Sequence, residues 1–411
     1  MINKTIPPEW NLVQLGKVAE IQTGLAKGKK NIKDSIQLPY LRVANVQDGH
    51  LDLSEIRNID VARKEFERYL LKEGDVLLTE GGDNDKLGRG TVWRGEIPTC
   101  LHQNHIFVVR TDPNILSPYF LSLLTNSPYG KMYFRESAKQ STNLASINTR
   151  QLRAFPVLVP PLSQQSKIVE ILSAGDDAIV RTKRLIAAQQ TRKKGIMQRL
   201  LTGHIRFLGF GGEWARVHLR EVFQRNIRRA GNRIVENVLS ITASVGFVDQ
   251  REKFGKVIAG KNIANYILLK HGEFAYNRGN SNAYPQGCIY MLEEFDEGAI
   301  PSVYYSFVAT SNKVYPPFYK HYFESGALNG QLMRYISSSV RADGLFNISA
   351  DNFFNILIPL PSLDEQIKIT EILTTCDIEI DLQKRKLALL KSQKKGLMQR
   401  LLTGELRVKL D

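Results

Sequence analysis

Two stretches of the chain carry apolar residues at alternating spacings of four and three, the pattern of a helix that buries one face in a coiled coil. These stretches are residues 160–203 and 361–404, and each begins with proline and ends with glycine. Ser163 and Asp364 are the expected N-caps, and the terminal glycines are expected to end the helices in a left-handed conformation. The pattern therefore predicts two helices of about 39 residues, each roughly 60 Å long.

The buried face of each predicted helix is defined by its apolar positions. They are Ile168, Leu172, Ile179, Ile186 and Leu200 in the first stretch, and Ile369, Leu373, Ile380, Leu387 and Leu401 in the second. Four polar residues share the same face and are expected to fix the register or to face partner subunits: Thr182, Lys193, Gln383 and Lys394. The alternative to a helix pair is that each helix packs only on the core of its own domain.

The two helical stretches are copies of one another. Aligned without a gap at an offset of 201 residues, they are identical at 23 of 44 positions. Weaker similarity precedes each copy, for example at Trp10 and Trp214. A repeat of this length indicates a duplicated module with a pseudo-twofold relation rather than a solenoid. Because the two copies are so alike, we expect their helices to pair with each other in antiparallel orientation.

The repeat divides the chain into four segments. We expect a first domain at 1–162, a central helix at 163–203, a second domain at 204–361, and a C-terminal helix and tail at 362–411. Short apolar runs such as 75–79 and 105–110 predict strands, and proline-led segments such as 119–125 predict short helices, so both domains are α/β. The predicted fold class is α+β: two α/β domains joined by two long antiparallel coiled-coil helices.

Charge and composition narrow the possible functions. The chain has 411 residues and a formal net charge of +15, which suggests a polyanionic partner, nucleic acid first, although an ordinary basic protein fits the composition equally well. Its three cysteines are far apart, as is typical of a reducing compartment. No apolar run is long enough to span a membrane. We therefore expect a soluble cytoplasmic protein without a disulfide framework.

Three near-motifs could suggest catalysis or metal binding, and each is incomplete. The segment 255–262 has the spacing of a phosphate-binding loop but ends in asparagine instead of serine or threonine. The segment 315–318, Tyr-Pro-Pro-Phe, has tyrosine where amino-methyltransferases carry the side chain that binds the target amine. The segment 100–105 offers one cysteine and two histidines, but no second cluster completes a zinc site. We expect neither a catalytic residue nor a metal site.

Basic or asparagine-rich loops occur at matching places in the two halves, and such residues bind phosphates and base edges. In the first half the candidate DNA-binding residues are Lys27, Lys29, Lys30, Asn84, Lys86, Arg89, Lys139, Gln140 and Asn143. In the second half they are Arg225, Arg228, Arg229, Arg233, Asn277, Arg278, Asn280, Asn282 and Arg341. For any single residue, a solvated polar loop is the better explanation; the matching of the loops supports the group.

At its two helix motifs, 192–203 and 393–404, the chain strongly resembles the specificity subunits of type I restriction–modification systems, the HsdS family. The resemblance covers the full length: a variable target-recognition domain and a conserved helix, each occurring twice. Family-like landmarks include Gly74-Asp75 and the prolines that precede each helix. The second copy departs from the family at Gly272-Glu273 and at Ser362, which are mild changes.

The resemblance implies a non-catalytic subunit that reads double-stranded DNA. Each domain would read one half of a bipartite site, and the helix pair would set the spacer. Two modification subunits would bind S-adenosylmethionine and methylate adenine at N6, and restriction subunits would use ATP for translocation and cleavage. The chain itself would need no cofactor. The alternative is a free-standing two-armed DNA-binding protein without methyltransferase partners.

Overall fold

The computed structural model describes residues 6–27, 32, 34–82, 87–140, 145–242, 245–258, 260–279, 284, 286–335 and 348–410. The chain divides into two compact units. The first unit comprises Met1–Lys183 and Arg385–Asp411, and the second comprises Arg184–Lys384. Both boundaries fall inside long helices, so the compact units cut across the four linear segments that the repeat suggests.

The first unit is built on a four-stranded antiparallel sheet. Its strands, in spatial order, are β2 (Ala19–Thr23), β9 (Ile106–Thr111), β5 (Val76–Thr79) and β7 (Gly90–Val92). Three smaller sheets surround it: β4 (Arg57–Ala62), β3 (Ser35–Leu41) and β8 (Leu101–His102); β10 (Lys139–Gln140), β11 (Ala145–Ser146) and β6 (Gly81–Gly82); and β1 (Asn11–Gln14) with β12 (Pro156–Val159). The short helices are α1 (Pro118–Asn126), α2 (Pro128–Ser137) and α3 (Thr149–Arg153).

The second unit repeats this plan. Its four-stranded sheet has the order β14 (Phe223–Arg225), β21 (Tyr305–Ala309), β18 (Phe274–Asn277) and β19 (Cys288–Met291). The paired strands are β13 (Ala215–His218) with β22 (Leu357–Leu360), β15 (Leu239–Thr242) with β16 (Gly246–Asp249), and β17 (Ile267–Lys270) with β20 (Glu297–Ile300). The short helices are α5 (Leu219–Val222), α6 (Gln250–Phe254), α7 (Pro316–Glu324), α8 (Asn329–Tyr335) and α9 (Ala350–Phe354).

The internal repeat is confirmed at the level of strand pairing. In each unit the strand nearest the N-terminus pairs antiparallel with the strand just before the long helix: Leu12 with Leu158, and Val217 with Ile358. The four-stranded sheets also match in register, because Thr23 pairs with Phe107 and Arg225 pairs with Phe307. The domains therefore share one topology although their sequences differ.

The two long helices are α4 (Leu162–Leu200) and α10 (Leu363–Leu401). The predicted caps were wrong by two residues: the first intrahelical bonds run from Gln165 N to Pro161 O and from Gln366 N to Ser362 O, so those acceptors are the N-caps. Because α4 begins at Leu162 and α10 at Leu363, Ser163 and Asp364 lie at the second helical position instead of at the cap. The helices end as expected, with both terminal glycines left-handed at φ values of +70° and +74°.

Both long helices turn their apolar face inward. The ten apolar positions are buried or half-buried, from Leu373 at 0% exposure to the half-buried Ile179 and Ile186. The polar positions Lys193, Gln383 and Lys394 are half-buried, and Thr182 is buried. An alternating four–three pattern therefore located the contact face without any structural information.

Within each unit, the helix segments run antiparallel and share the domain core. In the first unit Ile168 and Leu172 of α4 pack in one cluster with Met398 and Leu401 of α10, together with the sheet residue Phe107. In the second unit the roles are exchanged: Leu200 of α4 and the following Leu201 join Ile369 and Leu373 of α10 around Phe307. The two expected alternatives, a helix pair and helix-on-domain packing, thus occur together.

Cross-helix ion pairs repeat in the same register. In the first unit Lys394 Nζ donates to Asp176. In the second unit Lys193 Nζ lies 2.5 and 2.7 Å from the carboxylate oxygens of Asp377, and Arg192 lies 2.6 Å from Glu379. Lys394 and Asp377 are the repeat counterparts of Lys193 and Asp176. The same lysine–aspartate pair therefore joins the two helices in both units. Thr182 instead bonds within its own helix, to the carbonyl of Ala178.

Candidate nucleic-acid interface

A buried carboxylate organises the loops of the first unit. Asp75 follows Gly74, which has a φ of +89°, and is only 1% exposed. Arg110 Nε donates to one Asp75 oxygen at 2.8 Å, and the backbone amide of Lys72 donates to the other at 2.8 Å. The same guanidinium donates to the carbonyl of Leu70 at 2.9 Å. Strands β5 and β9 are thereby tied to the loop before β5.

The second unit has an equivalent buried carboxylate, which pairs with an arginine from a different part of the chain. Glu273 follows Gly272, which has a φ of +80°, and is 6% exposed. It accepts hydrogen bonds from the Lys270 amide at 3.0 Å, from Asn226 Nδ2 at 3.0 Å, and from Arg228 Nη2 at 2.6 Å on both oxygens. The departure from the family pattern at Gly272-Glu273 is therefore accommodated by a longer carboxylate that keeps the same role.

The basic loop of the second unit alternates between inside and outside. Asn226 is 7% exposed and Ala230 is 1% exposed, whereas the Arg228 side chain is 38% exposed and its guanidinium reaches the buried Glu273. Arg225, Ile227 and Arg229 lie between them and are exposed. Of the predicted contacts in this loop, the structure places Arg225, Arg229 and Arg233 at the surface, whereas the guanidinium of Arg228 is held by an internal ion pair.

Two predicted contacts beside strand β18 are held internally. Arg278 is 8% exposed, lies 4.5 Å from the centre of the Tyr305 ring, and donates to the carbonyl of Val303 at 3.0 Å. Asn277 Oδ1 accepts the Gly279 amide at 2.9 Å. The burial of Arg278 argues against a direct role in DNA contact for that residue, and sequence could not show this because the loop composition alone is polar.

In the first unit, the small sheet brings two candidate loops together. Strand β11 pairs with β10 on one side and with β6 on the other, with Lys139 opposite Ser146 and Gly82 opposite Ala145. Lys139 is exposed, and Arg89 donates to Gln47 at 2.8 Å.

The remaining loop of the first unit is set by a close backbone contact. A side chain at Gly24 would lie 2.2 Å from the carbonyl oxygen of His102, so only glycine fits there. Lys27, just beyond it, is exposed and lies 5.4 Å from the centre of the Tyr40 ring. The other candidates lie outside the described residues: Lys29, Lys30, Asn84, Lys86, Asn143, Asn280, Asn282, Arg341, and the side chain of Gln140.

The segment with a cysteine and two histidines is spread over different environments. Burial raises the pKa of the Cys100 thiol to about 12 and lowers the pKa of His102 to about 4. His102 Nδ1 lies 3.0 Å from the carbonyl of Tyr69, whereas His105 pairs with Glu80 at 2.7 Å. Within the described ranges, no group of three or more potential ligands could hold a metal ion.

The other near-motifs are structural where they can be described. Tyr315 is the N-cap of α7, and Phe318 is fully buried in the core of the second unit. Of the phosphate-loop-like segment, residue 259 and the side chains of 260–262 lie outside the described part. Among the described helices, none has the length and apolar character that crossing a bilayer requires.

Sequence reasoning missed the buried carboxylates and the apolar member of the basic loop. Asp75 and Glu273 drew attention only as landmarks, although a Gly-Asp or Gly-Glu pair before an apolar strand signals a turn with an anchored acid. Ile227, 71% exposed, escaped notice because basic residues dominated the loop. Residues 226–230 carry no alternation of residue type that would distinguish Arg228 from Arg229, so no local signal gave their orientation.

Comparison with known proteins agrees with this architecture. The family model for the type I restriction modification DNA specificity domain matches the chain twice, at residues 7–189 and 213–392. The type I restriction enzyme MjaVIII specificity subunit of Methanocaldococcus jannaschii is 24% identical over 431 residues, covering 98% of this chain and 94% of that protein. The EcoKI specificity subunit of Escherichia coli is 25% identical over 203 residues, 48% of this chain and 41% of its own length.

Solved structures show the same fold. The HsdS subunit of Thermoanaerobacter tengcongensis superposes with a TM-score of 0.55 at 17% identity, covering 98% of this chain and 99% of that one. A chain from a structural study of complex assembly in the type I R-M system gives a TM-score of 0.62 at 16% identity, covering 98% and 100%. Since the family model covers most of the residues in both halves, the chain belongs to the type I restriction–modification DNA specificity family and carries two specificity domains.

Proposed function

We propose that this chain is the sequence-reading subunit of a type I restriction–modification complex, with each unit recognising one half of a bipartite, asymmetric DNA site. The observation that carries the proposal is the pairing of two different specificity domains with two similar helical stretches, identical at 23 of 44 aligned positions. Different loops on a common topology suit different half-sites, and conserved helices suit a constant connection between them. The chain's formal net charge of +15 suits a DNA partner.

The partners and cofactors follow from the same proposal. Two modification subunits dock on this chain, bind S-adenosylmethionine and methylate adenine at N6. Because a methyltransferase rotates its target base out of the duplex, the specificity subunit has to position the DNA rather than react with it. Restriction subunits, where the host has them, supply ATP-driven translocation and cleavage. The complex works in the cytoplasm, where the DNA is.

The test is to co-express the full chain with the methyltransferase encoded beside it and to map N6-methyladenine across a plasmid library. The proposal expects a split motif with a fixed gap, methylated only when both proteins are present. Replacing the first domain by that of another family member should change one half of the motif and leave the other. Methylation that does not depend on this chain would support the free-standing DNA-binding alternative instead.

A further inference from the structure

Three outward side chains of the second unit form a ridge, which we define as Arg225, Ile227 and Arg229. Residues 226 and 230 are buried and residue 228 is half-buried, so the three ridge residues lie on the solvent side of this segment. All three ridge residues are exposed, and Ile227 is 71% exposed. The ridge therefore presents an apolar side chain between two guanidinium groups.

The inner residues hold the ridge rigidly. The Asn226 amide donates to the carbonyl of Ser306 at 2.8 Å, and its side chain donates to Leu268 O at 3.0 Å. Arg228 is bound to the buried Glu273, and its carbonyl accepts the Leu268 amide at 2.7 Å. The ridge is thus fixed before any partner arrives, and little ordering entropy is lost when it binds.

The arginines are also oriented. Arg225 lies over the Tyr305 ring at 5.5 Å from its centre, and Arg229 Nη1 donates to Asn265 Oδ1 at 3.0 Å. Both contacts leave guanidinium N–H groups available, since each group has five donors. Arg225 and Arg229 are four residues apart, so their Cα atoms are separated by at most about 14 Å, which is comparable with the roughly 12 Å width of the DNA major groove.

We propose, on the basis of the proposed function, that this ridge contacts the second half-site in the major groove, with Ile227 against the C5 methyl group of a thymine. The thymine methyl is the apolar group that the major groove displays. The arginines bind phosphates and carry no sequence information, whereas Ile227 discriminates. Ile227 is therefore a specificity-determining residue of the second unit.

The first unit differs at the same place, as two different half-sites require. By strand register Thr23 corresponds to Arg225, so Leu25 corresponds to Ile227. Leu25 is only 4% exposed, and its amide donates to the carbonyl of His102 at 2.8 Å. The first unit has no outward apolar residue at this position, so the contact belongs to one half-site alone.

The experiment is a double-mutant cycle between protein and DNA. Binding is measured for the complex of the full chain with its modification subunits, using duplexes in which each thymine of the second half-site is replaced in turn by deoxyuridine. At one thymine, loss of the methyl group should weaken binding by the wild-type complex about fourfold, the value of one buried methylene-sized group. The Ile227→Ala complex should show the weaker binding already and no further loss at that thymine.

Control variants separate this role from others. Leu208, fully exposed between α4 and β13, provides the matched truncation: Leu208→Ala should bind every duplex as the wild type does. Arg225→Ala and Arg229→Ala should weaken all duplexes alike and each reduce the salt dependence by about one counterion. Ile227→Ala should unfold at the wild-type temperature, since its side chain is mostly exposed.

Two results would overturn the inference: a deoxyuridine penalty that persists in Ile227→Ala, or a second half-site without a thymine that responds. Either leaves the proposed function intact, because the wild-type complex still selects a bipartite site. A wild-type complex with no sequence preference would instead contradict the proposed function itself.

Discussion

At the scale of single residues, buried ionisable groups define the architecture of the loops. Asp75 and Glu273 occupy the same place in the two units, yet their arginine partners come from different elements, Arg110 in β9 and Arg228 in the basic loop. A buried carboxylate is tolerated when its oxygens accept hydrogen bonds and an ion pair. Removing one member of such a pair destabilises the fold, because the other charge stays buried without a partner. The acidic residue therefore occupies the same place in both units, whereas its arginine partner comes from a different element in each.

Asp75→Ala should destabilise the first unit by about 3 kcal/mol, the lower end of the cost of breaking a buried pair, because Arg110 stays 22% exposed. Urea unfolding of the purified chain measures this loss. Glu170→Ala is the control in the same unit, since its pair with Lys167 is exposed and contributes at most about 1 kcal/mol. Equal effects of the two substitutions would contradict the structural role of Asp75.

Stability should fall between pH 6.5 and pH 4 through His102. Burial lowers its folded-state pKa from 6.5 to about 4, so the unfolded chain binds the extra proton over this range and is favoured as pH falls. The stabilisation is fully present above pH 6.5 and is lost through pH 4, at most about 3 kcal/mol. His102→Gln should show a flatter dependence when unfolding is measured at several pH values; an unchanged slope would exclude His102 as the cause.

At the scale of elements, each long helix has two structural roles. Their apolar faces complete the cores of both units, and their lysine–aspartate pairs align the helix segments in each. Past the left-handed terminal glycines, the amides of Ile205 and Leu406 bond back to Arg199 and Arg400 at 3.2 and 2.9 Å. Identical chain reversals at both helix ends explain why the motif ends in glycine twice.

Leu172→Ala should cost about 2–5 kcal/mol, because the side chain is 1% exposed and its removal leaves a cavity in the first unit. Chemical denaturation checks the value, and Leu373→Ala at 0% exposure is the counterpart in the second unit. Val180→Ala on the same helix provides the comparison: at 43% exposure its cost should stay within about 0.5 kcal/mol. If Leu172→Ala or Leu373→Ala destabilised the protein as little as Val180→Ala, the observed packing of the two leucines would be contradicted.

At the scale of the whole molecule, the duplication makes one chain carry two recognition domains. Both long helices have residues in both units, so any change in helix length is shared by the two domains. This continuity is the basis for proposing that the helices set the spacer of the DNA site.

Inserting one heptad into each helix, after Lys183 and after Lys384, should lengthen the preferred spacer by about three base pairs. Seven helical residues add about 10 Å, and each base pair adds about 3.4 Å along the duplex. A whole heptad in both helices keeps the apolar face in phase. Methylation mapping of the variant complex gives the spacer directly, and a spacer of unchanged length would refute the ruler.

The sequence by itself determined the features that depend on local periodicity. A four–three spacing and a terminal glycine report on the helix alone, so both helices, their buried face and the repeat could be predicted. Family membership followed from the same motifs. The cap positions were missed by two residues because proline and backbone geometry, rather than Ser163 or Asp364, start the helices.

Only the tertiary structure decided which basic residues are available. Arg228 and Arg229 are neighbours of the same type, yet one is held by a buried acid 45 residues away and the other is exposed. Likewise Ile227 is exposed and its counterpart Leu25 is buried. Inward or outward orientation depends on contacts distant in sequence, with Glu273 and with strand β8, and a local pattern contains no information about them.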